Sequence, residues 1–349
     1  MVMKMRTLLL LLVLPFCTIA QEKKQYKVRT IAFYNVENLF DTKNDTLIFD
    51  DDRTPEGKDN WTEERYRDKL TNIAKVISEI GAEQTKTSPD IVGLSEVENR
   101  QVIEDLIAHP LLSQKGYSIV HFDSPDERGI DVALLYKQSA FLPTSSTSHR
   151  LLIYDDDQFR NYTRDQLVVG GLLDNEQFYF TVNHWPSRSG GEARSKPNRM
   201  AAAKLNRRIT DSILRLDISA NIISMGDFND DPTDDSIKKI VRTEGKAKNL
   251  EEGDLFNPML KLFKKGIGSL AYRDKWNLFD QLFFTPNLLV EKVGQYRFWK
   301  VAVFNPPYLI SKKGQYKGYP FRTYAGGSYA GGYSDHFPVY LYLLKEIKN

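Results

Sequence analysis

The chain has 349 residues, with 48 Lys and Arg against 46 Asp and Glu and a formal charge of +2, so overall charge does not single out a polyanionic partner. Its one cysteine, Cys17, falls in an N-terminal apolar run. Beyond that run the chain has no disulfide, no thiol nucleophile and no cysteine metal site.

Taken in chain order, Lys4 and Arg6 precede the apolar run 8–16, which ends in Thr18-Ile19-Ala20. This pattern reads as a secretory signal peptide over residues 1–20, cleaved after Ala20, and implies export to the periplasm or the medium. The run is shorter than the roughly 20 residues that span a bilayer. Residues 21–349 read as a single domain, since no Pro/Gly/Ser-rich linker divides them.

Apolar runs rich in Val, Ile, Phe and Tyr predict strands over 28–34, 91–94, 130–136, 167–173, 178–182, 221–225, 279–284 and 338–344. Runs 167–173 and 178–182 read as a hairpin across Asp174-Asn175-Glu176-Gln177, which makes the sheets mixed. Helices are predicted over 62–80, 100–108 and 198–216. In the first, Tyr66, Leu70, Ile73 and Ile77 share a face, Thr62 caps and Gly81 stops. Strands with a few interspersed helices suggest face-to-face sheets with helices outside. The Gly-rich stretch 324–333 reads as a flexible loop, because no helical pattern follows it.

Polar residues gather at the strand ends: Asn35 and Glu37, Glu96 and Glu98, Asn183-His184-Trp185, Asp227 and Asn229, and Asp335-His336. Any one has an ordinary explanation as a cap or turn. Five such edges are costly at the rim of a core unless they converge on one pocket. Carboxylates and amides there suit Mg²⁺, Mn²⁺ or Ca²⁺ rather than Zn²⁺, with Mg²⁺ the expected ion. The chain lacks Gly-x-x-x-x-Gly-Lys-Ser/Thr, Gly-x-Ser-x-Gly and, after the first strand, Gly-x-Gly-x-x-Gly. NTP-driven, serine-hydrolase and dinucleotide chemistry therefore have no support. Residues 261–322 carry twelve Lys and Arg against three acids, interleaved with aromatics that include Tyr308, Tyr316 and Phe321. Such a mixture suits a phosphate backbone and its bases, although a solvated surface gives the same charge pattern.

The segments Tyr34-Asn35-Val36-Glu37-Asn38, Gly93-Leu94-Ser95-Glu96-Val97, Gly129-Ile130-Asp131, Asn183-His184-Trp185-Pro186-Ser187-Arg188, Gly226-Asp227-Phe228-Asn229, Phe279-Asp280-Gln281 and Ser334-Asp335-His336 together resemble the endonuclease/exonuclease/phosphatase superfamily, in the family's order. The resemblance implies a four-layer α/β/β/α sandwich and a divalent-metal-dependent phosphoesterase. It implies Glu96 as main metal ligand with Asn35 and Asp335 near the ion. Asp227 and Asn229 would position water and phosphate, His336 would be held by Asp280, and His184 would be the second histidine. Asn35, Arg164, Arg128, Trp185 and Arg188 are the expected substrate contacts. Glu37 receives no ligand role and reads equally as a solvent-facing or capping carboxylate. A nuclease is the leading expectation, with nucleic acid as substrate and no protein partner. A phosphatase or sphingomyelinase-like enzyme acting on a small phosphoester or phospholipid is the alternative. An inactive binding protein is disfavoured by the intact set of costly polar groups.

Overall fold

Both faces of the first strand are buried from Thr30 to Glu37, which is why Ile31-Ala32-Phe33-Tyr34 runs without a charged residue. Ile31 and Phe33 point one way, into a core shared with Phe178, Phe180, Met225 and Leu341. Ala32 and Tyr34 point the other way, against Ile73, Ile77, Val102 and Leu106. A strand's period of two thus serves two cores. The structure, a computed structural model, describes residues 24–347 apart from residue 156. The segment 1–20 expected to be a signal peptide lies outside the described residues.

The main elements are β1 (Gln25–Leu39), α1 (Glu63–Glu79), β2 (Ile91–Val97), α2 (Arg100–Ala108), β3 (Tyr117–His121), β4 (Asp131–Lys137), β5 (Phe141–His149), β6 (Gln166–Leu173), β7 (Glu176–His184), α3 (Glu192–Leu216), β8 (Asn221–Asp227), β9 (Thr243–Glu244), β10 (Leu255–Phe256), β11 (Asp280–Phe284), β12 (Tyr296–Val303) and β13 (Val339–Ile347). One sheet has the order β12-β13-β1-β2-β4-β3 and the other β9-β10-β11-β8-β7-β6-β5. Both are mixed: β1 runs parallel to β2 and antiparallel to β13, while β8 runs parallel to β7 and antiparallel to β11. Helices α1 and α2 cover the outer face of the first sheet. On the second sheet Ala202, Leu205 and Ile209 of α3 pack against Ile222. The result is the expected α/β/β/α sandwich.

The Thr62 hydroxyl accepts from Arg65 N at the start of α1, satisfying a donor that the helix leaves open. Strands β3, β5 and β12 were not predicted, and all three lie at sheet edges. An edge strand is wet on one side, so β5 can read Phe-Leu-Pro-Thr-Ser-Ser-Thr-Ser-His without an apolar run. The hairpin turn is tighter than the four residues expected. Only Asp174 and Asn175 turn, at φ 45° and 67°, and Glu176 already pairs with Leu173. Asp and Asn tolerate this left-handed geometry. The stretch read as a flexible loop is instead a pinned hairpin in which Tyr324 and Ala325 pair with Tyr329 and Ser328. Asn72 donates to the Gly331 and Gly332 carbonyls, and the Arg65 guanidinium lies 4.6 Å from the Tyr329 ring centre.

Candidate active site

Strand register assembles the first part of the site. Asp227 on β8 pairs with His184 on parallel β7 and with Asp280 on antiparallel β11, so three polar residues lie in one row across the second sheet. Gly226 is required in that row, because a Cβ there would stand 2.4 Å from the Asn183 carbonyl oxygen. The first sheet supplies Asn35 and Glu96 from the matching ends of β1 and β2. Glu96 is an extra residue in β2: Ser95 pairs with Val132 and Val97 with Asp131, and Glu96 has φ 63°. A bulge of this kind re-aims a side chain out of the sheet's alternation. Asn229, just beyond β8, has φ 52°. Two such residues cost on the order of 1–3 kcal/mol each, so the surrounding structure must hold them in place.

The side chains form a continuous arc. Asp335 Oδ1 lies 3.9 Å from His336 Nε2, which lies 3.9 Å from Asp227 Oδ2. Asp227 Oδ2 is 3.7 Å from His184 Nε2, which is 3.7 Å from Glu96 Oε1. Behind the arc, His336 Nδ1 is 2.7 Å from Asp280 Oδ2, and Asp280 also accepts from the Ser269 hydroxyl. Asn229 N donates to Asp227 Oδ1, while Asn229 Nδ2 donates to the Trp185 carbonyl.

The two imidazoles are driven to opposite charge states. Burial, helped by the Arg164, Arg128 and His336 charges, pulls His184 well below the usual histidine range, so it is neutral. Burial also opposes charge on His336, but Asp280, Asp227 and Asp335 outweigh it and raise its pKa well above that range. Burial foremost, with the Asp280 and Glu96 charges, raises the Asp227 carboxyl to about 7 against the opposing pull of His336. Groups pushed apart in this way are suited to separate acid and base roles.

The expected substrate and metal residues divide when their partners are read. Asn35 Oδ1 accepts from Glu37 N, and its Nδ2 donates to Glu96 and Asp227. Here Asn35 orders the carboxylates through its amide nitrogen, and its oxygen takes the Glu37 N–H. The Trp185 side chain is fully buried, edge-on to Phe228 with ring centres 4.8 Å apart, so it cannot touch substrate as expected. Arg188 is taken up by Asn229 O, Asp230 and Asp234, and it braces the loop after β8. Arg164 donates to Asp126 and to the same Trp185 carbonyl that Asn229 uses. Arg128 is half exposed, 3.8 Å from Asp126, and is the expected arginine left facing solvent at this rim.

A further layer had no local signal. Glu37 is buried, not solvent-facing, and accepts from Thr323 N and Arg322. Arg322 also donates to Asp335 Oδ2 at 2.7 Å. Buried Lys69 reaches the Thr323 hydroxyl and the Tyr333 carbonyl. Burial pulls its ammonium down to about 8, against the Glu37 and Asp335 charges.

The donor set fits a hard divalent cation. Carboxylates outnumber cations around the arc: Glu96, Asp227, Asp280 and Asp335 meet His336 and Arg322, and Arg322 is shared with Glu37. Glu96 and Asp335 border the arc with oxygens, the donors that Mg²⁺ and Mn²⁺ prefer. The trio Asp227, Asp280 and His336 is a poorer holder, because His336 as imidazolium has no lone pair to give.

A profile of the Endonuclease/Exonuclease/phosphatase family matches residues 30–345, and the chain belongs to that family. No curated protein matches it significantly. Among solved structures, an endonuclease/exonuclease/phosphatase family protein from Bacteroides thetaiotaomicron superposes with TM-score 0.55 at 18% identity, covering 94% of this chain and 98% of that one. A mannosyl-6-phosphatase from the same organism gives 0.53 at 16%, covering 90% and 99%. TDP2 from D. rerio, complexed with a single-strand DNA product, gives 0.53 at 15%, covering 90% and 98%. At these identities the likeness is one of fold.

Proposed function

We propose that the chain is a Mg²⁺- or Mn²⁺-dependent phosphodiesterase that cuts nucleic acid by in-line attack of water, and that it acts after export. The arc from Asp335 through His336, Asp227 and His184 to Glu96 carries this reading, because it gathers acid, base and hard-ion ligands within single contact steps. A divalent ion held by Glu96 and Asp335 would supply neutralisation of charge on the phosphoryl oxygens. Asp227 accepts the proton of the attacking water, with Asn229 orienting it. Imidazolium His336, fixed by Asp280, donates to a phosphoryl oxygen as negative charge grows there. As the new P–O bond forms, the old one breaks, and its oxygen leaves with a proton drawn from the site or from water. The basic stretch 261–322 supports a nucleic acid substrate, as does the single-strand DNA product held by TDP2.

The test is purified mature protein with Mg²⁺ on plasmid DNA, RNA, sphingomyelin and bis-p-nitrophenyl phosphate, with Asp227→Ala as control. Cleavage of DNA or RNA that is lost in the variant is expected. Hydrolysis of sphingomyelin alone would overturn the substrate assignment, and hydrolysis of none would overturn the enzyme.

A further inference from the structure

A cavity of about 570 Å³ opens beside the arc, lined by Tyr308, Tyr316, Phe321 and Tyr333 together with Lys312, Lys313 and Arg322. That size lies within the range of small-molecule sites. None of its lining residues is acidic. Arg322 joins it to the catalytic centre, since the same guanidinium binds Asp335. Its wall is built firmly. The Tyr308 hydroxyl donates to Glu79, its ring carries the Lys75 ammonium at 4.1 Å, and it packs on Tyr333, which in turn meets Phe321 edge-on. Gly332 lets the chain close here, because a Cβ would stand 2.3 Å from the Phe321 and Arg322 carbonyl oxygens.

We propose that this cavity is a nucleobase subsite: it takes the base next to the scissile phosphate, while Lys312 and Lys313 hold the adjoining backbone. The proposal rests on the phosphodiesterase reading and names where its substrate is recognised. Aromatic rings suit a planar base, which has a π-face whatever its identity. A lipid surface calls for protruding side chains. Among the described residues the exposed large apolar side chains include Leu47, Phe49 and Phe159, and none comes from the segment 308–333. The cations supply the charge complement of phosphates on either side.

The experiment compares hydrolysis of a thymidine dinucleotide with that of its analogue lacking one base, by the mature protein and by Tyr316→Ala and Lys312→Ala/Lys313→Ala. Loss of the base should lower kcat/KM by about tenfold or more, the scale of one base–aromatic stack. Tyr316→Ala should show a similar loss on the full dinucleotide and little further loss on the analogue, which marks the two as partners. On a thymidine trinucleotide, which carries a second phosphate beside the scissile one, the double lysine variant should lose activity and show a weaker salt dependence than the wild type. Equal cleavage of both substrates by the wild type, or an equal loss on both in Tyr316→Ala, would overturn the subsite. Binding of thymidine 5′-monophosphate and of deoxyribose 5-phosphate in EDTA is measured in parallel. Base-dependent binding without cleavage would sink the hydrolase reading and leave the subsite standing. Tyr316-dependent binding of phosphatidylcholine vesicles with no preference for the base would overturn the subsite in favour of a lipid.

Discussion

His336 Nδ1 and Asp280 Oδ2 are 2.7 Å apart in a buried pair. The carboxylate fixes which ring nitrogen faces inward and leaves Nε2 toward Asp227. It also raises the imidazole's pKa against the cost of burial. Asp280→Asn keeps an acceptor of the same shape and removes the charge. Removing a group that raises a base lowers its pKa, so His336 would lose its proton at lower pH. The alkaline limb of the kcat/KM profile should shift toward neutrality, with kcat down roughly 10²-fold, the scale of a positioned acid–base group. An alkaline limb that stays in place would show that imidazolium is not the working form.

Asp227 stands at the middle of the arc and touches both imidazoles. Asp227→Ala and His336→Ala should each lower kcat on bis-p-nitrophenyl phosphate by at least about 10²-fold. Circular dichroism of each variant separates loss of chemistry from loss of fold. Near-normal turnover in a folded variant would remove that residue from the reaction.

The residues of the arc were legible because they lie at the ends of apolar runs, and a sheet brings the ends of its strands together. Register then fixed the row His184, Asp227 and Asp280, which a strand pattern alone does not give. Asn35 and Trp185 read as contacts because they sit in the same motifs, yet the amide turns its oxygen to Glu37 N and the indole packs on Phe228. Alternation states which face a residue occupies, not which atom of it is free. Arg322 was not legible as a site residue. Its partner Glu37 lies 285 positions away, and nothing near either residue announces the pairing. Of the missed strands, β3, β5 and β12 lie at wet sheet edges, while β9 and β10 are two residues long and too short to show a run.

Glu96 is held by a bulge and by donors from Asn35 and Asn38 N, an arrangement that fixes the direction of its carboxylate. EDTA should abolish activity, and added Mg²⁺ or Mn²⁺ should restore it. Glu96→Gln should raise the Mg²⁺ needed for half-maximal rate by at least about tenfold, since even outer partners of a metal ligand cost 10–100-fold in affinity or activity. Full activity after exhaustive chelation would remove the ion from the mechanism.

Far from the site, Asp174 of the β6–β7 turn takes bonds from Lys27 at 2.5 Å, Arg29 at 2.7 and 2.8 Å, and the Tyr296 hydroxyl at 2.5 Å, tying the turn to the first sheet. Burial alone would raise its carboxyl, but these donors outweigh it and hold it below the usual 3.8. A folded pKa below the unfolded one means that the unfolded chain binds more protons between the two values. The stabilisation is complete above the usual value and disappears as pH falls through the folded one. Asp174→Asn preserves the turn, since Asn accepts φ 45° as readily as Asp, and removes only the charge. The variant should be less stable at neutral pH by about 2 kcal/mol, a charge-assisted cluster discounted for its partial exposure. The gap between variant and wild type should narrow as the pH is lowered below 4. Urea titrations of both proteins across the acid range measure it, and a gap that is constant with pH would show that the Asp174 charge contributes nothing to holding the two sheets together.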